Sequence, residues 1–97
     1  MKKIFQLTHP KIKPERLIEA VRRDVKKYLK REKRKSLPYG VDYWDFDCKF
    51  GPTEVKAEII LASEISKCIS GAEAENLESF YLEILAKPGF KKILKKL

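Results

Sequence analysis

The chain has 97 residues, of which 43% are hydrophobic and 37% are charged, a composition that suits one domain with a single core. This charge content excludes a membrane-spanning protein, since no apolar run approaches the ~20 residues that cross a bilayer. The first residues also lack the apolar stretch of a signal peptide, so we expect a cytoplasmic protein.

The two cysteines, Cys48 and Cys68, form no CxxC pair, and His9 is the only histidine. A structural zinc site needs three or four clustered ligands, so this set predicts no metal site. Disulfides are rare in a reducing compartment, and we therefore expect two buried thiols. No sequence motif indicates a cofactor.

The net charge of +8 is unevenly distributed along the chain. Residues 11–35 hold twelve Lys/Arg and four Asp/Glu, whereas residues 36–90 hold four Lys/Arg and ten Asp/Glu. This asymmetry predicts a basic first helix and a basic tail on an acidic body.

The first predicted elements are a short strand and a long helix. Residues 4–8 alternate between apolar and polar side chains, which predicts a strand that ends at His9-Pro10. Pro14 suits the first position of a helix, and the apolar spacing extends this helix to about Lys33. Its apolar face consists of Leu17, Val21, Val25, Tyr28 and Leu29.

The second half contains two clear strands and one ambiguous segment. Strict alternation predicts strands over residues 43–50 and 80–86, the second ended by Pro88-Gly89. Between them, the alternation predicts a strand over residues 55–62, followed by a helix that Ser63 caps and Asn76 ends. The alternative is one long helix over 54–75.

The element order is therefore β-α-β-β-α-β, the pattern of an α+β ferredoxin-like sandwich. We expect residues 1–89 to form the domain and residues 90–97 to form a basic amphipathic tail helix. In a ferredoxin-like order, residues 4–8 and 57–62 would be the central strands. Both helices would cover one face of the sheet and bury Trp44, Phe46, Phe50, Phe80 and Leu82. The runner-up fold is βαβαβ.

Three long stretches of the chain are similar to a family of short bacterial proteins known only as a domain of unknown function. They are residues 7–14 (LTHPKIKP), 42–53 (DYWDFDCKFGPT) and 78–89 (ESFYLEILAKPG). The resemblance covers nearly the whole chain and implies a bacterial setting. It implies no activity, and no catalytic or binding residue follows from it.

The basic helix is the first candidate site. Its cations recur at helical spacing on one exposed side, and repeated cations of this kind neutralise phosphates and release counterions. The alternative is a solvated helix face whose late cations suit the negative end of the helix dipole. The candidate nucleic-acid-binding residues are Arg23, Lys26, Lys27, Lys30, Arg31 and Arg34.

The outer face of the sheet is a poor candidate for stacking bases. RNA-recognition sheets need exposed aromatics on their central strands, and the expected outer residues there are Ile4, Gln6, Thr8, Glu58 and Ile60. We also expect acids on this face: Asp45, Asp47 and Glu83. Paired carboxylates can bind a hard cation or transfer protons, but no ligand loop accompanies them, so a polar face is the better interpretation.

Two weaker candidates complete the search. The apolar side of the predicted tail helix could pack on the open sheet at Ile60, Tyr81 and Leu85. It could instead bind a partner or a second copy, or touch a membrane surface, where seven residues make a weak anchor. His9 has no nearby nucleophile or orienting acid and suits a turn.

The leading hypothesis is a small binding module that contacts RNA or DNA backbone, or another polyanion, through the first helix. The alternative is a protein-interaction or self-associating module, such as a homodimer. An enzyme is the least supported class, and we assign no catalytic residue.

Overall fold

The computed structural model describes residues 1–91. The larger elements are three strands and one long helix: β1 (Lys2–Gln6), α1 (Pro14–Lys33), β2 (Tyr43–Gly51) and β4 (Ser79–Gly89). Between β2 and β4 lie the short strand β3 (Glu58–Ile60), a single 3-10 turn (Ala62–Glu64) and the helix α2 (Ile65–Ala74). The predicted tail helix falls mostly on residues 92–97, outside the described part.

The four strands form one antiparallel sheet in the order β1-β4-β2-β3. The predicted α+β class and the βαββαβ arrangement are confirmed, and the alternative of one helix over 54–75 was wrong. The prediction of the central strands was also wrong, because β4 lies between β1 and β2, so that β1 and β3 are edges. Strand order depends on long-range pairing, which local alternation does not encode.

The core lies between the two helices and one face of the sheet. Phe46, Phe80 and Leu82 are buried, as predicted, while Trp44 and Phe50 are half-buried. The Phe80 ring lies 4.9 Å from Phe50 and 5.4 Å from Phe5, measured between centroids. Cys48 is buried and Cys68 half-buried, and both are free thiols.

Two predicted boundaries on the way to α2 need correction. β3 covers only residues 58–60, and Ile60 pairs with Cys48, so Glu58 and Ile60 lie on the core side and Ile59 on the outer side. Ser63 does not cap α2, because a 3-10 turn precedes the helix. The Glu64 carboxylate instead accepts the Leu61 amide at 2.8 Å.

β4 also continues through Pro88, where the sequence predicted its end. β1 pairs with β4 only over residues 79–83, whereas β2 pairs with it as far as Gly89. The last residues of β4 therefore have a neighbour on one side only. A proline, which lacks an N–H, is tolerated at such an open edge.

Candidate nucleic-acid interface

α1 separates an apolar face from a basic one. Its buried residues are Ile18, Val21, Val25 and Glu32, while the predicted core residues Leu17, Tyr28 and Leu29 are half-buried. At 3.6 residues per turn, residues 23, 30 and 34 point away from this face, with residue 26 on one flank and residues 27 and 31 on the other. The helix thus turns its basic side to solvent, as the spacing predicted.

All six predicted cations are exposed. Within residues 1–91 the salt bridges are Lys35–Glu32 and Lys87–Asp47, and none of the six takes part in either. We call this set the basic stripe: Arg23, Lys26, Lys27, Lys30, Arg31 and Arg34. From its first to its last residue it spans about 16 Å, at 1.5 Å per residue.

Two further cations of this segment are engaged in internal contacts that the sequence did not indicate. Arg22 donates to Ser66 Oγ at 2.7 Å and to Ser70 Oγ at 2.6 Å, and so connects α1 to α2. Lys35 Nζ lies 2.7 Å from Glu32 Oε2. The contact between Arg22 and Ser66 could not be predicted from local sequence, because the two residues are 44 positions apart.

Glu32 is the one charged residue of α1 that is buried, at 9% exposed. The Lys35 hydrogen bond is the main cause that holds the pKa of Glu32 below its ordinary value. Tyr28, whose hydroxyl lies 3.5 Å from Glu32 Oε1, has a raised pKa because of burial and the Glu32 charge. This cluster fixes the last turn of α1 and leaves the basic stripe outside.

The basic stripe is bordered by a groove of about 500 Å³ between α1 and β1. Lys27 and Arg31 line the helix side, and Lys3 lines the strand side. The Arg31 guanidinium lies 5.7 Å from the centroid of the Tyr28 ring, and the Lys3 ammonium lies 4.9 Å from that of Phe5. Sequence analysis did not single out Lys3.

The outer face of the sheet carries the three expected acids, Asp45, Asp47 and Glu83, but it also carries three lysines, Lys2, Lys49 and Lys87. Asp45 and Asp47 lie there on β2, and Lys87 of β4 reaches Asp47 at 2.6 Å. The hydrogen bond of 2.8 Å from Tyr81 to Glu83 belongs to the same face, and it is the largest cause that raises the pKa of Tyr81 to about 12. The charges on this face therefore balance, and unlike the basic stripe it offers phosphate no excess of cations.

Because β2 and β4 are the central strands, any aromatics that stack bases would have to lie on their outer face. Two tyrosines lie at opposite ends of this outer face, and the first, Tyr81, is only 3% exposed. It lies opposite Gly51, over which the backbone of Lys56 and Ala57 passes. Tyr43, at the other end, lies against Gly89 but is 42% exposed, so β2 and β4 present a single accessible tyrosine on this face.

The remaining candidates show ordinary structural roles. His9 lies in an exposed turn, where its Nδ1 accepts the Lys11 amide at 3.0 Å. Burial is the main cause that raises the pKa of Cys48 to about 11, with smaller contributions from Asp47 and Asp45. In the described residues, no group of three or more His, Cys, Asp or Glu side chains could hold a metal ion.

No helix among residues 1–91 has the length and apolar character needed to cross a membrane. A family model described as a family of unknown function, DUF6172, matches residues 1–95, so the chain belongs to that family. No curated protein matches the chain, and no solved structure does.

Proposed function

We propose that this member of the DUF6172 family is a small binding module that contacts the backbone of RNA or DNA through the basic stripe of α1. The observation that carries the proposal is that six exposed cations on one side of a single helix have no carboxylate partner within residues 1–91. Such cations repel one another, and a polyanion relieves that repulsion while it releases its own counterions.

The dimensions of the stripe suit a nucleic-acid backbone. Duplex DNA carries one phosphate per ~3.4 Å of axis on each strand, so about 16 Å of helix passes some four or five phosphates. Four contacts predict a log–log salt slope of roughly −3 to −4. Backbone contacts carry no sequence information directly, so we expect binding that is largely independent of sequence.

The charge balance of the outer face supports α1 as the contact surface. The three lysines there are matched by Asp45, Asp47 and Glu83, and Tyr81 is buried. A polyanion is therefore drawn more strongly to the basic stripe, which would set its orientation.

The experiment compares two double variants that change the net charge equally. We expect Lys26→Gln/Lys30→Gln to weaken binding of a labelled mixed-sequence oligonucleotide by about tenfold or more at low salt, since each exposed ion pair contributes up to about 1 kcal/mol. The control is Lys56→Gln/Lys67→Gln, at two exposed lysines outside α1. Equal weakening in both variants would show that only net charge matters and would contradict the proposal.

The second candidate function is self-association or binding of another protein. It is favoured by apolar side chains on the outer face of the sheet, where Ile4 is 55%, Leu85 40% and Ile59 82% exposed. Sedimentation of the full chain and of a chain that ends at Gly89 tests this candidate. A monomer in both cases removes self-association. An enzyme ranks last because His9 occupies a turn rather than a cleft.

A further inference from the structure

We propose that the groove between β1 and α1 is a phosphate-binding site, in which Lys3 of the strand joins Lys27 and Arg31 of the helix. The inference deepens the proposed function and rests on it, because the phosphate would come from the nucleic-acid backbone. The groove has a volume of about 500 Å³, within the usual range of ligand sites. It is lined by Met1, Lys3, Phe5, Asp24, Lys27, Tyr28 and Arg31.

The position of Lys3 carries the argument. In β1 it pairs with Leu82 and lies on the same side of the strand as Phe5, so it occupies the core-facing side of the sheet. An apolar residue is expected at such a position. A lysine there directs its charge toward α1, and its ammonium lies 4.9 Å from the centroid of the Phe5 ring.

The opposite wall supplies two cations one helical turn apart. Lys27 and Arg31 belong to the basic stripe but lie on its flank toward β1. The Arg31 guanidinium lies over the Tyr28 ring at 5.7 Å, and a planar guanidinium held in this way binds phosphate oxygens at a smaller entropic cost. Asp24 is the single acid of the groove, so its lining side chains carry a net charge of +2.

The groove and the stripe together form one surface. A backbone that lies along Arg23, Lys27 and Lys30 passes the mouth of the groove, because Lys27 belongs to both. One phosphate can then enter between Lys3 and Arg31 while its neighbours remain on the stripe. The nucleic acid would thus touch β1 as well as α1.

Lys2 provides a matched control for Lys3. It is also exposed and on the same strand, but it pairs with Glu83 and so lies on the outer side of the sheet. We expect Lys3→Gln to weaken oligonucleotide binding by about fivefold at low salt, since an exposed ion pair contributes up to about 1 kcal/mol. The salt slope should become shallower by about 0.7 to 0.9. Lys2→Gln should bind like the wild type.

The source of the phosphate is tested in a second arm by titrating the isotope-labelled chain with inorganic phosphate at constant ionic strength. We expect amide shifts at Lys3, Tyr28 and Arg31 that are lost in Lys3→Gln. Amide shifts along the stripe with none in the groove would overturn the site. Equal oligonucleotide affinities of the Lys3 and Lys2 variants would also overturn it. In that case Lys3 would only protect the edge of the sheet from pairing with another chain.

The two proposals fail in different ways. If Lys26→Gln/Lys30→Gln weakens binding but Lys3→Gln does not, the proposed function stands and the groove is wrong. If the wild type binds no oligonucleotide but inorganic phosphate shifts the groove amides, the groove stands as a phosphate site and the proposed function is wrong.

Discussion

Replacing Gly51 and Gly71 with alanine should change the stability of the protein in opposite directions. At Gly51, in the last position of β2, an added Cβ would lie 2.6 Å from Ala57 Cα, 2.8 Å from the Lys56 carbonyl oxygen and 2.9 Å from the Ala57 nitrogen. All three are backbone atoms, so the residues 52–57 that fold over the sheet must shift. At Gly71, in the interior of α2, nothing lies within 4 Å.

The sizes of the two effects follow from these contacts. Overpacking against backbone costs about 1–3 kcal/mol, so Gly51→Ala should lower the melting temperature by roughly 5–20 °C, at about 4–8 °C per kcal/mol for a domain of this size. Gly71→Ala removes backbone freedom from the unfolded chain and should stabilise by about 0.5–1 kcal/mol. The expected rise is roughly 2–8 °C.

Thermal and urea unfolding of the two variants beside the wild type measure these changes. The urea m-value should stay constant if only stability is altered. A Gly51→Ala variant as stable as the wild type would refute the close passage of residues 56–57 over β2. That result would also mean that residues 56–57 do not cover Tyr81, and stacking of bases on the outer face would have to be reconsidered.

Three further predictions concern the sheet edge, alkaline stability and the thiols. Phe5 should be protected from amide hydrogen exchange and Ile4 should exchange fast, since alternate amides of an edge strand point away from the sheet; protection of both would place β1 at the centre. Stability should fall as pH rises from about 10 to 12, because the folded-state pKa of Tyr81 is about 12, above the value of about 10 of an unperturbed tyrosine; a Tyr81→Phe variant with the same alkaline loss would contradict this. Cys68 should react with a thiol reagent before Cys48, whose pKa of about 11 and burial leave it unreactive until the chain unfolds; simultaneous modification of both would argue against the core position of Cys48.

Local patterns predicted the elements well where one face of an element is buried. Pro14 and the helical spacing gave the bounds of α1, and the alternation over residues 43–50 gave β2. The same periodicity placed the basic stripe opposite the core. These features depend on neighbours within one or two turns, which the sequence displays directly.

The strand order required information that local alternation does not contain, since one βαββαβ pattern fits more than one order of pairing. A signal for the central position of β4 was nevertheless present. Residues 80–86 contain a single charged residue, Glu83, whereas β1 contains two lysines. Edge strands of natural proteins carry charged side chains, lysines especially, so the two lysines indicate that β1 is an edge and leave the more central position to β4.

The finer parts of the candidate site depend on tertiary contacts. Arg22 donates hydrogen bonds to serines that lie 44 and 48 positions further along the chain. The sequence alone could not show that this cation is engaged inside the protein. Lys3 has significance only because the groove brings it opposite Arg31. The stripe was predictable from the helix alone, and the groove was not.

The salt dependence of oligonucleotide binding tests the central claim most directly. Fluorescence anisotropy of a labelled mixed-sequence duplex, titrated at several salt concentrations, yields the slope of log K against log [salt]. Contact of the basic stripe with four or five phosphates predicts a slope of about −3.6 to −4.5, at about −0.9 per phosphate. A slope near zero, or no binding at a salt concentration of about 20 mM, where screening is weak, would contradict the account.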